Sequence, residues 1–331
     1  MAKSTSSYLP VIDLLRGVAS MAVCLFHFIC KTKAFITGTF IVGLFYYGHF
    51  GVHMFFVISG MVIPLSMIKG QYTLKSWPRF LWKRFLRIEP PYIVAVILGT
   101  LFLIARNYIP GTTPGDRSPS LSTFLLHIGY LIPFRDSHTW ISPVFWTLAI
   151  EFQYYLVLSI LFPLAMHPLL TRRIMFYAIF LAAGYFHVTS EDFLPFWMPL
   201  FLIGIMYVLW WSGKIASLEY WLVSLAAMIV VYWRIGPASL VTALITIAIV
   251  HFFSTFSTPL SNFFGKISYS LYLLHSIVGA AFVNVLSHHA HSAWEKGFIL
   301  IGGIGVSILS AFLFYIAVEK PSQLLSAKVK Y

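Results

Sequence analysis

Ten apolar stretches, each about the length that crosses a bilayer and nearly free of charge, constrain this chain more than any other feature. A helix needs about 20 apolar residues to traverse ~30 Å of hydrocarbon. Such stretches lie at roughly 9–30, 47–68, 88–106, 143–165, 172–190, 193–211, 216–234, 237–254, 267–287 and 297–318. In lipid no water satisfies backbone polar groups, so a spanning segment of this kind is helical. The expected fold is all-α, a polytopic transmembrane helix bundle of about ten helices. The seventh and eighth stretches are divided only by Arg234-Ile235-Gly236-Pro237. Leu121–Pro133 is apolar but too short to cross, and is expected to re-enter the membrane or lie along its surface.

Composition closes the soluble alternative. Hydrophobic residues make up 59% of the 331 and charged residues 10%, and the mean hydropathy is +0.85. A soluble domain carries about 25% charged residues. The 22 Lys and Arg outnumber the 10 Asp and Glu. In a water-soluble chain that excess would point to nucleic acid, but here the cations sit in short links between apolar runs, so no nucleic-acid partner is expected. The pattern instead sets membrane orientation and suits anionic lipids or a phosphorylated substrate. Lys69, Lys75, Arg79, Lys83, Arg84 and Arg87 crowd the link between the second and third stretches. With that link on the cytoplasmic side, cations divide about two to one in favour of cytoplasmic termini. The first stretch carries Asp13, Arg16 and His27 and no small-residue cleavage site follows, so it reads as a permanent helix rather than a signal peptide. The one long polar loop begins at Pro110. The chain reads as a single membrane domain over residues 1–331, with no appended soluble domain.

Ionisable groups inside the bilayer cost at least ~2.5 kcal/mol each, so each marks a candidate site. Asp13 and Arg16, three residues apart, can pair on one helix face. Arg16 and His27 are eleven residues apart, about three turns plus 20°, hence on one face and ~16 Å apart along the axis. The same trio could also be a helix-anchoring network, with Arg16 reaching towards the headgroups. His49 and His53 have an i,i+4 spacing that could hold a metal, but no further ligands accompany them, and no metal is expected. Ser59-Gly60 reads as a point of close helix approach. Arg84 and Arg87 share a face and could clamp a phosphate, or simply mark orientation. Glu151, in the fourth stretch, is expected to face the bundle interior at a depth similar to His27. His275 lies deep in the ninth, whereas His288, His289 and His291 fall in a solvated loop. These buried groups would equally serve a proton relay, so a proton-coupled transporter or exporter is the competing class. No internal repeat of the kind many transporters show is apparent.

In order along the chain, six segments resemble the acyltransferase-3 family of integral membrane O-acyltransferases: Asp13-Leu-Leu-Arg16-Gly17 through His27; Gly51-Val-His-Met-Phe55-Phe56-Val-Ile-Ser59-Gly60; Arg84-Phe-Leu-Arg87-Ile-Glu-Pro90; Phe145-Trp146-Thr-Leu-Ala-Ile-Glu151; Gly265-Lys-Ile-Ser268-Tyr269-Ser270-Leu-Tyr272-Leu-Leu-His275; and Glu319-Lys-Pro321. His53 departs from the family's pattern, in which an acidic or another polar residue is common. The resemblance implies a membrane acyltransferase domain, in a bacterial inner membrane. It implies an acyl-CoA donor, acetyl-CoA first, on the cytoplasmic side, and transfer to a hydroxyl of a cell-surface glycan or its lipid-linked precursor. A neutral imidazole titrates near working pH and can take the hydroxyl proton. His27 is therefore expected to act as general base or acyl carrier. Arg16, held by Asp13, would stabilise negative charge, and Arg84 and Arg87 would bind the CoA phosphates. Glu151, His275, Ser268 and Tyr269 are expected to face the acceptor or support the site.

Overall fold

A computed structural model describes residues 9–32, 35–106, 108, 119–135, 139–186 and 190–330. Most of the polar loop that begins at Pro110, and the cations Lys3, Lys33 and Arg117, lie outside these residues. Among the described residues there are eleven continuous helices and no strand: α1 (Val11–Cys30), α2 (Thr39–Lys69), α3 (Leu74–Arg106), α4 (Leu121–Ile128), α5 (Trp146–Ala165), α6 (Leu170–Tyr185), α7 (Leu194–Trp211), α8 (Ser217–Arg234), α9 (Pro237–Phe252), α10 (Pro259–Ser287) and α11 (Ala293–Lys328). Every predicted stretch coincides with one of them. Seven (α1, α2, α3, α5, α7, α10 and α11) are long and apolar enough to cross a membrane. The helices α6, α8 and α9 have 16, 18 and 16 residues. The weak boundary between α8 and α9 is a real break: Gly236 adopts φ +123°, a conformation that favours glycine, and Pro237 starts the next helix.

The helix α7 lies at the centre, with 83% of its residues in the spanning window buried. It meets α2 at a glycine-on-glycine crossing. A Cβ on Gly60 would lie 2.2 Å from the Phe201 carbonyl oxygen, and one on Gly204 would lie 2.2 Å from that of Val57. The backbones are in direct contact, as small residues permit between membrane helices. Gly60→Ala must push α2 off α7. We expect it to cost at least about 1–3 kcal/mol, read as a lower melting temperature of the detergent-purified protein. Large apolar side chains such as Trp221, Leu222, Leu225 and Ile229 on α8 are exposed, as a surface facing hydrocarbon requires.

The short α4 packs back onto α3. The buried His127 donates from Nδ1 to the Thr123 carbonyl (2.8 Å) and accepts at Nε2 from the Ile141 N–H (3.0 Å), while the Tyr92 hydroxyl donates to its carbonyl (3.2 Å). This histidine is fully committed to holding the loop in place.

The helix α3 begins fourteen residues before the predicted stretch, so Arg84, Arg87 and Pro90-Pro91 all lie inside it. Two consecutive prolines remove the N–H groups that would bond the carbonyls of Leu86 and Arg87. The C-terminal part of α11 supplies the missing donor. Ser322 Oγ donates to the Leu86 carbonyl and lies 3.4 Å from that of Arg87, and Ser326 Oγ donates to the Lys83 carbonyl at 2.8 Å. A sequence window that counts apolar residues stops at the first cations. The helix continues because its polar turns are bonded to another helix. Ser322→Ala leaves a buried carbonyl without a partner, at a cost of about 1–3 kcal/mol. We expect a matching drop in melting temperature, recovered in Ser322→Thr.

Candidate active site

Five long helices and the end of α11 enclose a cavity of about 290 Å³. Its lining follows simple helical stripes. Thr147, Glu151 and Tyr155 lie four apart on α5, and Ser59 and Ser66 seven apart on α2. At one end are Lys83, Arg84 and Arg87 from α3, with Arg16 from α1, Ser66, Glu319 and Ser326. At the other are Val52, Phe55, Phe56, Thr147 and Tyr272. Val52 and Ser66 are fourteen residues apart on α2, about 21 Å along the axis. The cavity is long, cationic at one end and apolar at the other.

Four cations face two carboxylates, Glu151 and Glu319, so the cavity favours an anion. Arg84 is 7% exposed. Its Nη2 donates to Ser66 Oγ (2.9 Å), and its guanidinium lies over the rings of Phe80 (5.3 Å) and Tyr155 (5.8 Å). Its Nε has no hydrogen-bond partner among the described residues. A buried guanidinium held on both faces with a donor unspent is prepared for an anionic ligand. Glu319, 2% exposed, accepts from the Ser270 N–H (3.1 Å) and hydroxyl (2.5 Å) and from Gln323 Nε2 (2.8 Å). It lies within electrostatic reach of Arg16 and Arg87. Glu151 accepts from the Tyr155 hydroxyl and lies 3.4 Å from Ser59 Oγ.

Past the apolar end lie two histidines. His27 on α1 and His275 on α10 meet with Nδ1 of the first 3.2 Å from Nε2 of the second. The His275 Nδ1–H donates to the Leu271 carbonyl (3.1 Å), which leaves its Nε2 as an acceptor. The His27 Nδ1–H then serves both the Val23 carbonyl (2.9 Å) and His275 Nε2. Ser276 Oγ stands 3.2 Å from the same Nε2. This network places a proton on Nδ1 of each imidazole and leaves Nε2 of His27 outside it. A π-helical turn, His275–Gly279, begins at this histidine, and a second, Tyr315–Glu319, ends at Glu319. Such turns often accompany functional sites.

The sequence-predicted residues divide into three groups. Arg16, Arg84, Arg87, Glu151 and Tyr269 share the cavity, where the Tyr269 hydroxyl also donates to the Ile88 carbonyl (3.0 Å). His27 and His275 form the separate pair. Asp13 and Ser268 lie outside the lining: Asp13 packs against Gly265, and Ser268 Oγ donates to the Gly265 carbonyl (2.8 Å) within its own helix. Within the cavity, Arg16 lies in electrostatic reach of Glu319 and Arg87. Glu151 lines the same cavity as the arginines and accepts from Tyr155, whose ring lies beneath Arg84. Sequence reasoning did not single out Tyr155, Tyr272 or Thr147 as site residues. The i,i+4 stripe through Glu151 was the available signal. His49 and His53 have ring centroids 6.3 Å apart, and no group of three or more His, Cys, Asp or Glu among the described residues could hold a metal ion.

An apolar helix bundle with an internal cavity rich in cations and a histidine pair beyond its apolar end defines the class, a multi-pass membrane protein. Residues 9–316 match the family model described as an acyltransferase domain, and the chain belongs to the acyltransferase-3 family. Two curated relatives, from Staphylococcus aureus strains COL and MRSA252, are each named "Putative O-acetyltransferase". Each is 25% identical over 371 aligned residues, covering 95% of this chain and 57% of the relative. The chain thus spans just over half the length of these relatives. No solved structure matches it.

Proposed function

We propose that this protein transfers an acyl group, acetyl first, from acyl-CoA to a hydroxyl of a cell-surface glycan or its lipid-linked precursor, in a bacterial inner membrane. One observation carries the reading: a single cavity has four cations at one end and an apolar end next to the His27–His275 pair. Acyl-CoA has the matching shape, with phosphates at one end, a slender pantetheine arm and a thioester at the other. The phosphates lie against Arg84, Arg87 and Lys83, on the cytoplasmic side. Arg16, within electrostatic reach of Glu319 and Arg87, adds to the positive charge at that end. In the transfer step His27 Nε2 takes the proton of the acceptor hydroxyl, and the oxygen attacks the thioester carbonyl. The C–S bond then breaks, and the departing thiolate takes up the proton that His27 Nε2 received, giving CoA thiol and restoring the neutral imidazole. His275 and the Val23 carbonyl hold the Nδ1–H of His27, stabilising the imidazolium and fixing which nitrogen is free.

Glu151 serves the donor half of the site in this reading, because its carboxylate orders Tyr155, whose ring lies beneath Arg84. Glu151→Gln is expected to raise KM for acyl-CoA several-fold with little change in KM for the acceptor. The reverse pattern would return Glu151 to the acceptor side. The founding experiment incubates membranes with labelled acetyl-CoA and extracted glycans. Label on glycan supports the reading. Failure across a panel of donors, with transport by the purified protein in liposomes lacking acyl-CoA, would replace it with the transporter.

A further inference from the structure

The cavity stops short of the histidine pair, and one side chain accounts for the stop. Tyr272 lines the apolar end, and its ring centroid lies 6.0 Å from that of His275, three residues further along α10. Neither His275 nor His27 is in the lining. The phenol is tied across the bundle. The Tyr272 hydroxyl lies 2.8 Å from Thr147 Oγ1 on α5 and 3.4 Å from the Val144 carbonyl; because Thr147 Oγ1 donates to that carbonyl at 2.9 Å, Tyr272 donates chiefly to Thr147, the nearer of its two acceptors. Phe55 from α2 packs edge-on against the same ring at 5.5 Å. Three helices thus close on one aromatic ring at the boundary between cavity and base. Neither Tyr272 nor Thr147 has a role among the groups that take the proton or bind phosphate.

We infer that Tyr272, tethered by Thr147, is a gate between the donor cavity and the histidine pair, and that the space freed when it swings sets the length of acyl chain transferred. This rests on the proposed donor and base assignment. A thioester carrying two carbons passes a displaced ring, whereas a longer chain must also displace Phe55. The acyl group is therefore selected during passage, before it meets His27.

Two measurements on the full chain test the gate, with Thr147→Val (same shape, no acceptor) and Tyr272→Phe (same ring, no tether). The first is independent of catalysis. Ser276→Cys places a thiol beside His275, beyond the ring. Its modification by a membrane-impermeant methanethiosulfonate is followed in sealed vesicles of either orientation, with mass spectrometry separating it from the free Cys24 and Cys30. Releasing the tether should speed labelling at least tenfold from the face that bears Lys83 and leave the opposite face unchanged. Thr147→Ser, which keeps the acceptor, should match the parent. No acceleration, or equal acceleration from both faces, overturns the gate. The second is the ratio of butyryl to acetyl transfer, expected to rise at least fivefold in both variants; an unchanged ratio in variants that still transfer acetyl overturns the selectivity. Should the parent protein transfer no acyl group from any CoA thioester, the proposed function falls, and the labelling result still decides whether Tyr272 is a barrier.

Discussion

His27→Ala will lower acyl transfer by about 10²- to 10⁴-fold, the range a positioned general base contributes. Among the described residues, its Nε2 is the only imidazole nitrogen of the pair without a hydrogen-bond partner in the network. The check is label on glycan from acetyl-CoA at matched expression, with KM for acyl-CoA read alongside. The base assignment requires the loss to fall on kcat, because His27 lies outside the donor cavity. Label retained in the mutant would leave an acyltransferase whose base lies elsewhere. His275→Ala should give a smaller loss, since it removes the acceptor of the Nδ1–H but leaves the Val23 carbonyl in place.

Arg84→Ala and Arg87→Ala should each raise KM for acyl-CoA by about 10- to 100-fold, the equivalent of about 1.5–3 kcal/mol for a hydrogen bond to a charged group. An acyl-pantetheine, which lacks the nucleotide phosphates, supplies the control. Wild type and both mutants should use it equally poorly, because the lost contact is absent from that substrate. If the mutants lose as much with acyl-pantetheine as with acyl-CoA, the arginines do not bind phosphate. Arg84→Lys should fall between the two, since an ammonium keeps the charge but not the flat guanidinium that lies over Phe80 and Tyr155.

The helices were legible because crossing hydrocarbon imposes length and apolarity on each segment, and the intramembrane charges were legible because their cost makes each one conspicuous. The three-turn spacing of Arg16 and His27 correctly placed them on α1, but spacing on one helix is silent about the neighbouring helix. That is why the presence of Glu319, some 300 residues away in the chain, in one cavity with Arg16 could not be read from that spacing. The stops and starts were less readable. A window of apolar residues ends where cations begin, so it started α3 at residue 88 and missed the fourteen residues before it, which carry Arg84 and Arg87. Neither π turn has a signature in residue type, since the extra residue is absorbed by packing between helices. Tyr272 and Thr147 were invisible for a simpler reason: a buried hydroxyl on an apolar helix looks like core until its partner is seen.

The bond from Ser322 to Leu86 ties together residues 236 positions apart in the chain. A ribosome adding about 5–20 residues per second makes the first of these some 10–50 s after the second. During that interval α3 is inserted with a carbonyl left open by its prolines, and its arginines are anchored at one end only. The cationic end of the cavity is therefore completed only when α11 arrives with Glu319, Ser322 and Ser326. Order of synthesis becomes order of assembly: the polar turns of α3 gain their bonding partners only once α11 is present.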